Sequence, residues 1–269
     1  MSLFLIGVIF ITFSFLYILY NEVIQMSGGI TMTKLTLERN IQQNTFHLSD
    51  KTLTALTDIM YEQKVEAGSY LFWEGDQADK LFYIKEGHVK MTKATSDGKE
   101  YILNMFSNGD LFGELSSFMN IKYAYNAQVM KDSVIGVIQQ KDLEIILWQQ
   151  GEIAVEFLKW TSLLNQITQS KLRDLTFHGK LGALCSTLIR MANSYGEKTS
   201  EGIRITKKVK NGELGEYIGA TRESVNRMLS DLRSKEILSQ DKGYLIVRNL
   251  EELKQICHCE NCPLEICRM

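Results

Sequence analysis

Residues 72–90, FWEGDQADKLFYIKEGHVK, decide how the first half of the chain is read. Here and in the stretches on either side, aromatic and β-branched residues alternate with polar ones, and Gly68, Gly75, Gly87, Gly98 and Gly109 punctuate them. That is the pattern of short strands with one buried face. Asp97 and Gly98 stand between two such runs, and both residue types tolerate the positive φ that a tight hairpin turn requires. Strands this short and regularly spaced close into a barrel or jelly roll. The strand pattern continues from Asn126 to Ile138 and gives way to helix after Lys141. Ahead of the strands, residues 48–66 (LSDKTLTALTDIMYEQKVE) read as a helix, with Leu48 or Ser49 at the cap and Leu53, Leu56, Ile59 and Met60 on the apolar face.

A length of 269 residues suggests roughly two domains. A formal charge of -2 excludes a global affinity for polyanions, so any nucleic-acid surface has to be local. The single proline, Pro263, lets helices run long. Leu3 to Tyr20 is nearly all apolar and meets the usual transmembrane length of about 18 residues. A signal peptide fits poorly, because a basic leader and a small-residue cleavage site are both missing. We favour a third reading, in which translation starts at Met32: the codons of Gly28 and Gly29 can spell a ribosome-binding site, and residues 1–31 are then not part of the cytoplasmic protein. A membrane becomes a partner only if residues 1–31 are translated.

Residues 151–178 hold about 28 residues without an internal Gly or Pro, about 42 Å of helix. Ile153, Phe157, Trp160, Leu164 and Ile167 repeat at four-three spacing, a coiled-coil seam that calls for a second helix and hence a homodimer. Packing of the stripe on the chain's own strands is the alternative. The same phase continues through Lys171 to Asp174, where a carboxylate on a seam needs neutralising. On the residues alone, a shift of register to Leu172 and Leu175 is preferred, with Asp174 solvated and paired to Lys171 or Lys180.

Residues 179–250 read as a second domain. GKLGALCSTLIRMANSYG is an amphipathic helix with Leu184, Leu188, Ile189 and Met191 inward and Cys185 as a buried hydrophobe. A polar linker, EKTSEG, leads to a strand at IRITKKV. Two helices then flank a tight turn at Gly219-Ala220, the second running from Thr221 to Arg233 with Thr221 as N-cap. LSQDKGYLIV supplies a hairpin wing. Between Arg204 and Arg248 ten basic residues face six acidic ones, the local positive balance that DNA contact requires. Arg222, Glu223, Ser224, Asn226 and Arg227 project from the first turns of the second helix, the end that enters a major groove.

Cys257, Cys259, Cys262 and Cys267 crowd into residues 251–269, while Cys185 lies elsewhere. Thiolates this close converge on a soft metal centre, and buried structural cysteines would scatter instead. A disulfide framework suits a secreted chain, which this composition does not describe. No nucleophile-base set, Gly-rich phosphate loop or paired acid motif suggests an enzyme.

FWEGDxxxxLFYIKEGxVK followed by GDLFGELSSF resembles the cyclic-nucleotide-binding β-roll of the CRP/FNR family of bacterial transcription regulators. RESVNRML is similar to the family's recognition helix. The resemblance covers most of residues 46–268 and implies an α+β fold: a β-roll (jelly roll) over residues 32–150, a dimerisation helix over 151–178, and a winged helix-turn-helix over 179–250. It also implies double-stranded DNA with TGTGA-like half-sites and RNA polymerase as partners. By that likeness Glu223 accepts from a cytosine, Arg227 donates to a guanine, and Arg222 reaches a phosphate or flanking guanine. Nucleotide-binding members carry an arginine and a small hydroxylic residue after FGEL. This chain has Ala124 and Tyr125 there, so no cyclic nucleotide is expected and Gly113 and Glu114 serve the scaffold.

CENCPLEIC, with SKLRDLTFHGKLGALCSTLIRMANSYG, is similar to the Bacillus-type, oxygen-sensing branch of the family. That likeness implies a 4Fe-4S cluster held by Cys259, Cys262, Cys267 and Asp174 in control of anaerobic genes, with Cys257 as the reserve fourth ligand. Structural zinc on Cys257, Cys259, Cys262 and Cys267, with His258 as an alternative ligand, is the competing arrangement.

Overall fold

The computed structural model describes residues 43–115 and 122–269, all within one compact unit, Ile41–Met269. The apolar stretch at residues 1–31 lies outside the described residues. Among the described residues, no helix is long and apolar enough to cross a membrane.

Helix α1 (Asp50–Asp58) starts at Ser49, whose Oγ accepts the Thr52 N–H at 3.2 Å. It ends well before Glu66, a correction to the sequence reading. Tyr61–Val65 forms strand β1 instead, because it pairs antiparallel with Val137 through Ser133, and that pairing outweighs local helix propensity. Strands β2 (Tyr70–Phe72), β3 (Asp79–Ala94), β4 (Glu100–Ser107), β5 (Leu111–Leu115) and β6 (Asn126–Gln139) complete a six-stranded antiparallel sheet. β3 is its spine, paired to β4, β5 and β6. Phe72, Phe82, Ile84, Phe106, Phe112 and Ile135 fill the roll, with the Phe106 and Phe112 rings stacked 4.6 Å apart. At Gly113 φ is +132°, and a Cβ would lie 2.6 Å from the Lys80 carbonyl oxygen, so β5 reaches β3 only because this position is glycine.

Helix α2 (Gln140–Gln149) leads into α3 (Gly151–Phe177), a rod of about 40 Å. Its buried stripe is Ile153, Trp160, Leu163, Ile167, Ser170 and Asp174, and this stripe packs within the chain. Trp160 joins Leu48, Leu81, Leu111, Ile138 and Leu143 in a core beneath the roll, with Phe157 and Leu164 at its edge. Phe157, Trp160 and Leu164 of the stripe expected to face a partner helix therefore pack on the chain's own core. The register shift at the end of α3 does not occur either: Asp174 is 6% exposed, whereas Leu172 and Leu175 are 63% and 44% exposed. A second, outward stripe comprises Val155, Leu158, Leu172 and Leu175.

Helix α4 (Gly179–Tyr195) is the core of the second half. Leu184, Cys185, Leu188 and Met191 are fully buried, packed with Leu214, Ile218, Val225, Leu229 and Leu232. The segment read as a polar linker is a hairpin, β7 (Gly196–Thr199) with β8 (Gly202–Ile205). Helices α5 (Asn211–Ile218) and α6 (Arg222–Ser234) follow, then β9 (Leu238–Asp241), β10 (Tyr244–Val247) and α7 (Leu250–Ile256). The four strands form one sheet in the order β7-β8-β10-β9. Gly219 caps α5 at φ +62°, and Gly215 lets the turn close, since a Cβ there would meet the Ala220 carbonyl oxygen at 2.4 Å.

Lys171 carries a cation into the junction between roll and helix, donating to Asn104 Oδ1 at 2.5 Å. Burial, and after it the charges of Arg190 and Arg268, lower its pKa from 10.5 to about 7 against the opposing charge of Asp110. Between about pH 7 and 10 the unfolded chain thus binds more protons at this site than the folded one, so stability rises with pH across that window. Lys171→Met is expected to remove that rise and to stabilise the fold at pH 7 by about 1–3 kcal/mol. Urea unfolding at pH 6.5, 8 and 9.5 measures both effects, and a slope equal to the parent's would refute the assignment.

Candidate metal centre and nucleic-acid interface

Helix α6 begins where Thr221 Oγ1 accepts the Ser224 N–H at 3.2 Å. Val225, Leu229 and Leu232 turn inward, which forces the intervening positions outward. Arg222, Glu223, Asn226 and Arg227 are exposed and Ser224 is half-buried, so the five residues singled out from sequence share the solvent side of the first turns. Hydrogen bonds from its own backbone N–H and from Thr221, with Arg222 and Arg227 nearby, hold the Glu223 carboxyl below the usual range. It is therefore an acceptor at neutral pH, as contact with a cytosine amino group requires. Asn226 is held by a hydrogen bond from Asn211 of α5. Beside the wing stand cations that sequence reasoning did not single out: Arg204 of β8 and Lys208 after it lie over the wing's Tyr244 ring at 4.4 and 4.8 Å.

The second cluster surrounds Asp174, on the last turn of α3. Its Oδ2 accepts from Arg190 Nη2 at 2.8 Å and from the Ser186 hydroxyl, and its Oδ1 accepts from Arg173 Nη2 at 2.9 Å. Burial acts to raise this carboxyl's pKa, but the bonds and charge of Arg190, with Ser186 and Arg173, outweigh it and hold the pKa below the usual range. Lys171 and Lys180, the partners expected from sequence, are not among the described ion-pair partners of Asp174. Arg190 was missed. It looks like a stray charge in an apolar helix, and only the crossing of α3 and α4 reveals its carboxylate.

Arg190 also draws in the cysteine segment. Its Nη2 donates to Ser170 Oγ at 2.6 Å and its Nη1 to the Ile266 carbonyl at 2.9 Å. Asn193 Nδ2 donates to the Cys267 carbonyl at 2.7 Å. Arg173 completes the enclosure: it pairs with Glu260, and its Nη2 lies 3.8 Å from Cys262 Sγ. Cys257 and Cys267 are buried, and Cys259 and Cys262 pack at the edge of the same core. Burial pushes the Cys257 thiol up to about 12, with Cys259, Asp174 and Cys267 adding to the effect. Cys267 is raised as well, by burial and then by Cys259, Cys262 and Asp174 against the opposing charge of Arg190. The donors predicted from sequence therefore lie close enough to feel one another's charge.

Among the described residues, no three His, Cys, Asp or Glu side chains converge as a single metal ion requires. A four-iron cluster spreads its ligands around a cube. A cube held by three thiolates and a carboxylate is an anion overall, and Arg173 and Arg190 would supply compensating charge around it. The donor set fits such a group in softness and charge, with Cys259, Cys262, Cys267 and Asp174 as holders. Asp174 would first have to exchange Arg173 for iron.

At the position where nucleotide-binding relatives carry an arginine, Ala124 N donates to Glu114 Oε2 at 3.4 Å, and Tyr125 hydrogen-bonds Glu114. Glu114 is thus engaged by its own strand-loop neighbours.

Comparison with known proteins places both halves. The family model described as a cyclic nucleotide-binding domain matches residues 62–150, and that of the Crp-like helix-turn-helix domain matches residues 182–256. The anaerobic regulatory protein of Bacillus subtilis (strain 168) is 43% identical over 224 residues, covering 82% of this chain and 94% of that protein. A CRP-like cAMP-activated global transcriptional regulator of Mycobacterium tuberculosis is 25% identical over 201 residues, covering 75% and 90%. Among solved structures, FixK2 from Bradyrhizobium japonicum aligns with a TM-score of 0.63 at 20% identity, over 74% of this chain and 97% of that one. A mutant CooA from Carboxydothermus hydrogenoformans aligns with a TM-score of 0.63 at 21% identity, over 75% and 89%. With a β-roll, a long helix and a winged helix-turn-helix in the same order, and these relatives along most of its length, the chain belongs to the CRP/FNR family of DNA-binding transcription regulators and is not an enzyme.

Proposed function

We propose that the chain is an oxygen-responsive regulator of anaerobic metabolism, nitrate respiration and fermentation included, controlled by a 4Fe-4S cluster on Cys259, Cys262, Cys267 and Asp174. The observation that carries this reading is the gathering of the cysteine segment against a buried carboxylate 85 residues or more upstream, with Arg190 bonded to both. The name of the Bacillus subtilis relative supports the physiological half. The cluster would supply oxygen lability, since such centres are lost on oxidation. The chain's own residues do the rest. Asp174 belongs to α3, and Cys267 is tied to α4 through Asn193, so ligands drawn from both sides of the α3-α4 crossing fix the angle at which the DNA-binding half leaves the long helix.

That angle matters because a dimer on a palindrome must present its two recognition helices about one DNA turn apart. The outward stripe of Val155, Leu158, Leu172 and Leu175 is the face available to a second copy, in place of the inward stripe expected from sequence. DNA is read by Arg222, Glu223, Ser224, Asn226 and Arg227 at TGTGA-like half-sites, and transcription is passed to RNA polymerase. Cyclic nucleotides take no part, because the cation that would neutralise a buried phosphate is replaced by Ala124 and Tyr125.

Two measurements test this reading. Operator affinity of protein purified without oxygen is expected to fall at least tenfold after exposure to air, and to be low and oxygen-independent in Asp174→Ala; equal affinity in both atmospheres would overturn the oxygen reading. Glu223→Ala is expected to relax selection at one base pair of each half-site by about 1–3 kcal/mol. Binding-site selection reads this directly, and an unchanged profile would remove Glu223 from base recognition.

A further inference from the structure

A second buried carboxylate also receives a guanidinium from the cysteine segment. Asp110 precedes β5 and is 1% exposed. Its Oδ2 accepts the Ser107 N–H at 2.8 Å, and its Oδ1 accepts the Asn44 N–H at 2.7 Å. The Ser107 hydroxyl also donates to Oδ2, at 3.3 Å. A further partner comes from 158 residues away: Arg268 Nη2 donates to Oδ1 at 3.1 Å, and the Arg268 side chain is 8% exposed. Arg268 follows Cys267 directly. Among the described ion pairs, this is the one that joins the β-roll to the cysteine segment.

The surroundings make the pair a built site rather than a chance contact. Asn44 clamps the strand beside Asp110, donating from Nδ2 to the Leu111 carbonyl at 2.8 Å and accepting the Leu111 N–H at 2.9 Å. Arg268 and Met269 line a cavity of about 190 Å³ together with Asn44, Asn104, Phe112 and Asn165. From the other side, Ser194 Oγ accepts the Met269 N–H at 3.0 Å, and Arg190 and Asn193 hold Ile266 and Cys267. Residues 266–269 are thus gripped by α4 on one flank and by the β-roll on the other. Removing the guanidinium leaves a carboxylate that is buried without its cation, which is strongly unfavourable, so occupancy of Asp110 and docking of the cysteine segment are linked equilibria.

We propose that Asp110 forms a guanidinium-binding site, filled by the chain's own Arg268, and that this pairing latches the cysteine segment to the β-roll. Arg268 is a positioning residue: with the latch closed, Cys267 is held at 9% exposure, and with it open, Cys267 swings free and the place vacated beside Asp110 accepts a small alkylguanidinium. The latch operates in the iron-free chain and does not rest on the oxygen reading.

The experiment uses the full chain without iron and follows alkylation of each cysteine by iodoacetamide, resolved by peptide mass spectrometry. Arg268→Ala is expected to speed labelling of Cys267 at least tenfold while leaving the core residue Cys185 protected. Millimolar methylguanidinium is expected to restore protection in Arg268→Ala, and to restore nothing when Asp110→Asn is added. Asp110→Asn, which keeps the side chain's shape, is expected to speed labelling as much as Arg268→Ala, and the double variant no further. Labelling of Cys267 at the parent rate in both single variants, or rates that multiply in the double variant, would overturn the latch. So would failure of methylguanidinium to restore protection in an Arg268→Ala chain whose Cys185 remains unreactive. The labelling is read on the iron-free chain, whereas the oxygen reading is tested by operator affinity of the protein purified without oxygen, so each reading can fail separately.

Discussion

A carboxylate buried on a helix face has to be neutralised by whatever packs over it, and Asp174 sets that condition for this molecule. The last turn of α3 can be covered only by an element that brings a cation, and α4 brings Arg190. Once Arg190 is committed to Asp174 and Ser170, its second amino group is free to hold the Ile266 carbonyl, and the cysteine segment comes to rest on the crossing of the two helices. The position of the cysteines thus follows from an ion pair. Breaking such a pair by deleting one partner costs several kcal/mol, whereas replacing both with apolar groups costs little, so the pair's contribution lies in directing the tail rather than in stability.

The same logic operates a second time at Asp110, on the roll side of α3. Two buried acids, Asp110 and Asp174, and the cations Lys171, Arg173, Arg190 and Arg268 occupy the region where the roll, the long helix and the cysteine segment meet. Glu260 adds a third acid at the edge, and burial, with Arg190 and Arg268 adding to it, depresses the pKa of Lys171. Burial holds Cys257 and Cys267 as neutral thiols, so a multi-thiolate centre here requires a metal that displaces their protons.

Much of the architecture was legible because it is local. The alternation through β3 and β6, the turn at Asp97-Gly98, the N-cap at Thr221 and the inward Val225, Leu229 and Leu232 each follow from a short-range rule, and the recognition-helix face follows from them. What was misread depends on long-range partners. Tyr61–Val65 continues a helical composition but pairs with β6. The stripe through Ile153, Trp160 and Ile167 has coiled-coil spacing, yet spacing cannot say whether a second helix or the chain's own sheet will cover it. Asp174 was assigned to solvent on its residue type, because its partner Arg190 sits sixteen positions away on another helix and Arg268 finds Asp110 from still farther off. Charged pairs of this kind carry no periodicity, and a single sequence offers no signal for them.

The central claim is that three thiolates and the Asp174 carboxylate share one iron-sulfur centre, and its most direct measurement is the Mössbauer spectrum of iron-57-labelled protein prepared without oxygen. The account predicts four irons per chain with one subsite distinct from the other three, and loss of that distinction in Asp174→Cys, where all four ligands are sulfur. Four equivalent thiolate-ligated sites in the parent protein, with Cys257 required and Asp174 dispensable, would contradict it.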